Sequence, residues 1–357
     1  MVEGTLSSAI FVYEFFTMTD IQTTIKTTFP QKCVVIVGDL VADQFLNGTI
    51  SRVSREAPVF ILRHDHTATL PGAAANAAAN VVSLGGKPVL IGLAGRDANG
   101  ELLLKKLDEI GVNTANVVSD GSLNTTTKVR VLAGQHYAAR QQVIRIDYEN
   151  SASVSDELSV KLRENLIAAG AVANAIIISD YNCGTVSGEI YETARTIATD
   201  RKIPLIVDSR YRLADFANAS TATPNREEVE KILGENFSAE DCSGLRDQLG
   251  YEALLVTNGN EGMLLVENGK PPLNIEAVGS KEPVDVTGAG DTVIAAYALG
   301  LASGLSYAEA AKVANHAGGI VVMKKGTATV SIDELCDSLV SNADSRISKP
   351  ARQSNDA

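Results

Sequence analysis

Val284-Asp285-Val286-Thr287-Gly288-Ala289-Gly290-Asp291, followed at once by the small-residue run Thr292–Leu301, decides how the rest of this chain reads. A glycine-bounded turn that opens a helix leaves several backbone N–H groups unpaired and pointing one way. Those donors and the positive end of the helix dipole make an anion site suited to phosphate. Asp291 is the unexpected member, because a carboxylate beside an anion site repels the ligand. Two readings stand. Asp291 is either a base that takes the proton from an attacking hydroxyl while the Gly288, Ala289 and Gly290 amides hold a transferring phosphoryl group, or a residue that caps its own helix.

Composition narrows the field. The 357 residues have room for one large α/β domain or two smaller ones. With 45% hydrophobic and 21% charged residues, a substantial core is assured. A formal net charge of −12 argues against nucleic acid as a partner, which calls for a basic surface. Cys33, Cys183, Cys242 and Cys336 lie far apart with no CxxC spacing, which fits a reduced, cytoplasmic setting without a zinc site. His64 and His66 alternate on an expected strand and read as surface or lid residues rather than a metal pair.

The ends are less regular. Ala9–Met18 is apolar and aromatic but carries Glu14, has no basic leader and is too short to span a bilayer. Thr19–Thr28 reads as a linker. Residues 1–31 are therefore expected as a disordered tail or arm, with Met18 as an alternative translation start, and residues 341–357 as a polar C-terminal tail. No other segment is long and apolar enough to cross a membrane, so no membrane partner is expected.

From Cys33 the pattern becomes periodic. Cys33–Val37 is a short β-branched run ending in Gly38-Asp39, the form of a buried parallel strand reaching its loop. Gly72–Leu84 reads as a helix with a glycine entry, Pro88–Leu93 as the next strand and Asn99–Ile110 as the next helix. Strands over Ala175–Ser179, Leu205–Asp208 and Ala253–Thr257 alternate with helices near Asp156–Ala169, Ser187–Asp200 and Arg226–Leu233. This alternation predicts a mainly parallel sheet flanked by helices on both faces. Thr49–Thr69 and Thr125–Tyr148 interrupt it with extended strands, expected as a small separate β lid or as a pairing surface for another subunit.

In such a sheet, ligands sit beyond the carboxyl ends of the strands. Asp39, Asp43, Asp180, Asp208 and Thr257 occupy those ends. Singly, each reads as a turn or cap residue; together they suggest a site for a polyhydroxylated substrate and a cation. Thr223-Pro224-Asn225-Arg226-Glu227-Glu228 enters a helix with Asn225 and Glu228 on one face, spaced either for hydrated Mg²⁺ and phosphate or for a capping pair. Thr257-Asn258-Gly259-Asn260-Glu261-Gly262 fits a close approach to a nucleotide and equally a hairpin turn. Neither Gly86-Lys87 nor Gly269-Lys270 is followed by Ser or Thr, so a Walker A loop is absent. Gly38-Asp39-Leu40-Val41 lacks a second glycine, which argues against a dinucleotide fold.

Asp285–Asp291 resembles the C-terminal signature of the ribokinase-like (PfkB) sugar kinases, and Pro71-Gly72-Ala73-Ala74-Ala75-Asn76 resembles their N-terminal glycine-rich signature. Asn225 and Glu228 stand where that family has its Asn-x-x-Glu element. The resemblance spans roughly residues 32–340, with lid strands near 44–70 and 125–149. Within the family, Gly38–Asp43, Ser51–Val59, Gln141–Asp147 and Ser179-Asp180-Tyr181 most resemble heptose-7-phosphate kinases, including the kinase half of the bifunctional heptose kinase/adenylyltransferase. No His-x-Gly-His nucleotidyl-transfer motif follows.

The resemblance implies an ATP-dependent kinase acting on a sugar or sugar phosphate, with D-glycero-D-manno-heptose 7-phosphate first. A ribokinase, fructokinase or nucleoside kinase comes second, and a non-catalytic sugar- or nucleotide-binding protein last. It implies Asp291 as the base and the Gly288–Gly290 amides as the phosphoryl site. Asp43, Gly72 and Asn76, with Asp39 and Asp180, would bind the sugar. Asn225 and Glu228 would organise Mg²⁺ through water, and Thr257, Gly259, Gly262 and Asn315 would line the ATP site. Backbone carbonyls of Asp285, Thr287 and Gly326 would hold a monovalent cation such as K⁺, and a homodimer would form through the lid strands. Three departures stand out: Ala73 where a second glycine is usual, Cys183 where a lysine is usual, and Asp208-Ser209-Arg210 in place of Asp-Pro-Lys.

Overall fold

Runs that are apolar at every position build the centre of the sheet, because a parallel strand covered on both faces has no solvent side. In the computed structural model, which describes residues 18–135, 140–149, 154–280 and 282–347, these runs pair side by side. The strands are β1 (Cys33–Gly38), β2 (Leu40–Val53), β3 (Phe60–Ala73), β4 (Lys87–Gly95), β5 (Val117–Asp120), β6 (Thr127–Gly134) and β7 (Gln141–Tyr148). After them come β8 (Ala175–Asp180), β9 (Leu205–Ser209), β10 (Thr221–Ala222), β11 (Ala253–Thr257), β12 (Met263–Glu267) and β13 (Leu273–Ile275). The helices are α1 (Met18–Thr28), α2 (Ala74–Ser83), α3 (Ala98–Ile110), α4 (Asp156–Gly170), α5 (Gly188–Arg201), α6 (Arg226–Leu233), α7 (Ala239–Leu249), α8 (Ala289–Ala302), α9 (Tyr307–Val321) and α10 (Ile332–Ile347).

Among the described residues one sheet has nine strands in the order β13-β12-β11-β10-β9-β8-β1-β4-β5. It is parallel from β5 to β11, and β12 and β13 close it antiparallel. The two-residue period of a strand divides the core cleanly. Val34 and Ile36 of β1 pack with α1, α2, α3, α8, α9 and α10, whereas Val35 and Val37 pack with α4, α5, α6 and α7. The second sheet, β3-β2-β6-β7, is the expected small β lid. Only Asp39 separates β1 from β2, and β3 runs directly into α2, so the lid is fixed to the carboxyl end of the main sheet.

Three boundaries differ from expectation. Residues 18–31 are not tail: α1 and a 3-10 turn, Phe29–Gln31, precede β1. Ile21, Ile25 and Phe29 recur every four residues, form one stripe and are buried to 2%, 0% and 0% exposure. The threonines between them masked that stripe. Gln22 Nε2 adds a 2.8 Å hydrogen bond to the Cys336 carbonyl on α10. At the other end α10 continues to Ile347, past the expected start of the tail at 341. The remaining tail residues, 1–17 and 348–357, lie outside the described residues. The helix expected from Gly72 begins at Ala74, because Gly72 is still paired with Val41 in the lid. If α1 is part of the core, Ile25→Val should cost about 1 kcal/mol in urea unfolding; no measurable change would place α1 outside it.

Candidate active site

The Asp291 turn resolves into a defined geometry. Gly288 is the N-cap of α8 in the left-handed region, φ +78°, and no side chain caps the helix. Asp291 is 3% exposed, and its oxygens face other elements instead. Oδ2 accepts from Asn76 Nδ2 at 2.8 Å and Oδ1 from Tyr181 Oη at 3.0 Å. The capping reading therefore falls. Burial pushes the Asp291 carboxyl up to about 7, against the opposing pull of the Asn76 and Tyr181 bonds. Asn76 is itself held: Asn80 Nδ2 donates to its Oδ1 at 3.3 Å, and Thr292 Oγ1 donates to Asn80 Oδ1 at 3.1 Å. This buried polar chain fixes α2 against α8.

Of the three amides expected at the phosphoryl site, Ala289 N–H is already donated to the Val286 carbonyl at 3.2 Å. No such bond is made by the Gly288 or Gly290 amide among the described residues. Gly288 has a second constraint, since a Cβ there would lie 2.5 Å from Asn76 Nδ2.

Asp43 reaches the same region from β2, 4% exposed and ion-paired with Arg130 of β6. Burial raises its pKa, and the Arg130 charge and hydrogen bond pull it back. Gly72 lies against it, because a Cβ at Gly72 would be 2.7 Å from Asp43 Oδ2. Asp43, Gly72, Asn76 and Asp291 therefore converge where the lid meets the main sheet.

Two expected substrate ligands do not join them. Asp39 spends both oxygens on the loop after β8, accepting from the Tyr181, Cys183 and Thr185 amides at 2.8, 2.9 and 3.0 Å. Asp180, fully buried, accepts from Ser209 Oγ at 2.7 Å and is ion-paired with Arg212. Both are structural acids: a strand end supplies orphan amides and nearby cations as readily as it supplies substrate. Asn76, expected to touch the sugar, donates to Asp291 and so orients it.

The residues expected at a nucleotide site come together. Thr257, Gly259, Gly262, Gly290, Val293 and Asn315 line a cleft of about 170 Å³ running from the Asp291 turn. Gly262, φ +97°, lets the Ile275 carbonyl approach within 2.0 Å of where a Cβ would stand. Asn315 lines the wall, but its amide is committed to the Glu276 carbonyl at 2.7 Å.

Asn225 and Glu228 form the capping box of α6, with both reciprocal bonds at 2.9 Å. A second fact goes beyond capping. Burial, then the charges of Glu228, Asp291 and Asp180, drives Asp208 far above the usual carboxylate range, and burial also raises Glu228. Crowded acids of this kind accommodate a cation. Among the described residues no group of three metal-ligating side chains gathers, so water and phosphate oxygens would complete any coordination. Asp285, Thr287 and Gly326 are drawn together by the Asp285 carboxylate, which accepts from the Thr287 amide at 3.0 Å and the Gly326 amide at 2.9 Å.

Tyr181, Lys128 and Arg130 were missed as site residues. The alternation of β6 puts Lys128 and Arg130 on one face, but sequence alone does not say that this face meets the site.

A mainly parallel sheet, a second sheet over its strand ends and a buried carboxylate in the first turn of α8 define a ribokinase-like protein. The chain belongs to the pfkB family of carbohydrate kinases, whose profile matches residues 32–334. It is 38% identical over 318 residues to the bifunctional protein HldE of Chromohalobacter salexigens, across 88% of this chain and 64% of that one. With the HldE of Magnetococcus marinus it shares 34% over 328 residues, across 89% and 66%. The chain thus spans just under two thirds of these relatives. Arabidopsis thaliana ribokinase, solved with ribose and ATP, superposes with a TM-score of 0.66 at 22% identity, covering 86% of this chain and 98% of that one. Escherichia coli phosphofructokinase-2 in complex with potassium gives 0.72 at 19%, covering 87% and 99%. At these identities the superpositions establish the fold.

Proposed function

We propose that the protein transfers the γ-phosphoryl group of ATP to a sugar hydroxyl, with Asp291 as general base. The observation that carries this reading is a buried carboxylate titrating near 7, aimed by two side chains beside the glycine amides of a helix N-terminus. The acceptor lies between Asp43 and Asp291 beneath β2 and β6, and the nucleotide occupies the cleft from Gly290 to Asn315. The hydroxyl proton passes to Asp291 while its oxygen bonds to the γ-phosphorus. The bond to the β–γ bridging oxygen breaks, and ADP leaves. Gly288 and Gly290 amides bind the charge on the transferring group.

Mg²⁺, when bound, would neutralise phosphate charge; Glu228 and Asn225, beside Asp208, would hold it through water. Carbonyls around Asp285, Thr287 and Gly326 would take a monovalent cation such as K⁺. The segments resembling heptose-7-phosphate kinases favour D-glycero-D-manno-heptose 7-phosphate as the acceptor, and similarity to proteins named HldE runs the same way. A homodimer through the lid is consistent with Val143, Ile144 and Ile146 of β7 lying 42–53% exposed. The four free cysteines fit a cytoplasmic setting. No helix among the described residues is long and apolar enough to cross a membrane.

The test is ADP release with Mg·ATP and a panel of sugars and sugar phosphates, with heptose 7-phosphate expected to give the highest kcat/KM. Turnover of ribose, fructose or a nucleoside instead would reassign the acceptor. Sugar binding without any turnover would favour a non-catalytic binding protein.

A further inference from the structure

Lys128 and Arg130 occupy alternate positions of β6 and share its half-buried face. In register, Lys128 lies beside Asp43 of β2 and Asp147 of β7. Both acids are engaged elsewhere. Arg130 takes Asp43 while its guanidinium stands 5.4 Å from the Phe45 ring centroid, and Arg145 takes Asp147 at 2.9 Å. Among the described residues no carboxylate lies within ion-pair distance of the Lys128 ammonium. Its Nζ stands over the Tyr181 ring instead, 5.3 Å from the centroid. The Tyr181 hydroxyl donates to Asp291 Oδ1 at 3.0 Å. Lys128 belongs to the lid, while Tyr181 follows β8 of the main sheet. One ammonium therefore connects the lid to the base through a single aromatic ring.

We propose that Lys128 is a positioning residue: by gripping the Tyr181 ring from the lid, it holds the hydroxyl that aims Asp291 and ties alignment of the base to seating of the lid. A cation over a partly desolvated ring is attracted to its face, enough to select one ring placement. The proposal rests on the phosphoryl-transfer reading and adds a route by which the lid governs it. An ammonium near a buried carboxylate also favours its ionised form. The groups around Asp291 are Asn76 on α2, Tyr181 after β8, Asp43 and Lys128 on the lid, and Asp208 at the end of β9. Arg130 beside it is held by Asp43 and Arg210 acts on Asp208, which leaves Lys128 as the cation whose charge bears on Asp291 itself.

The experiment has two arms. In turnover with the best acceptor, Lys128→Met should lower kcat by about tenfold or more while changing the nucleotide KM by less than about twofold. Lys128→Arg, which keeps a cation over the ring, should stay within about threefold of wild type. In a Tyr181→Leu background, Lys128→Met should add less than about twofold, since its target is gone. An undiminished kcat in Lys128→Met, or fully multiplicative losses in the double variant, would overturn the proposal. The second arm needs no turnover. Carboxylate NMR titration of the free protein should show the Asp291 midpoint rising by roughly half to one pH unit in Lys128→Met. An unmoved midpoint in a variant with wild-type thermal unfolding counts against Lys128. A shifted midpoint in a protein that phosphorylates nothing on the panel overturns the kinase reading and leaves the Lys128 contact intact.

Discussion

Asp291→Asn is expected to lower kcat by roughly 10²–10⁴-fold with little change in nucleotide binding, the size of a positioned general base. The substitution keeps the shape of the side chain and leaves an oxygen to accept from Asn76 or Tyr181, so the loss isolates proton transfer. Stability gives the control. The folded-state pKa of Asp291, about 7, lies above its ordinary value, so the folded state binds the proton more tightly than the unfolded chain does. The contribution is fully present at acid pH and is lost as pH rises through 7. Above that pH the wild-type protein holds a buried charge that the asparagine variant lacks. Urea unfolding at pH 8 should therefore show the variant no less stable than wild type. The same titration sets the rate profile. kcat/KM should climb about tenfold per pH unit on the acid side, level off above about 7, and lose that limb in Asp291→Asn. Full activity in the variant would remove Asp291 from the mechanism.

Gly288→Ala should lower kcat by about 10²-fold, the loss typical of a displaced oxyanion donor. Two causes act at one atom. A Cβ is strained at φ +78°, and it would stand 2.5 Å from Asn76 Nδ2. Relief requires moving either the Gly288 amide or the amide that aims Asp291. Because both the phosphoryl site and the base are disturbed, adding Asn76→Ala should cost less in the Gly288→Ala protein than in wild type. Wild-type turnover in Gly288→Ala would mean that the turn tolerates repacking and that its amides are not placed for the reaction.

Local chemistry in the chain was enough for much of this. Periodicity located β1, β4, β8, β9 and β11 and the helices α2 to α6, because each buries residues at its own repeat; the short strands β5 and β10 and helix α7 went unread. The Gly288–Asp291 turn suggested a phosphate site through its backbone alone, the Thr257–Gly262 turn fitted a nucleotide or a hairpin equally, and the Gly72–Asn76 segment spoke only through its family resemblance. Where two local signals competed, sequence chose wrongly. The threonines of α1 hid its apolar stripe, and the strand-end acids Asp39 and Asp180 looked like ligands although the loop after β8 and Arg212 consume them.

The sequence by itself therefore determined the α/β alternation and narrowed the Asp291 turn to two readings, base or helix cap, since each rests on neighbours within a few residues. Only the tertiary structure decided how the Asp291 carboxylate is held. Asn76, Tyr181, Asp43, Lys128 and Asp291 come from five segments, every pair more than about thirty residues apart. The Asn76 and Tyr181 bonds to Asp291 exist because α2, α8 and the loop after β8 meet, and Asp43 and Lys128 arrive because the lid folds over the ends of the main sheet. Burial at that junction, a property of no single segment, sets the Asp291 carboxyl near 7.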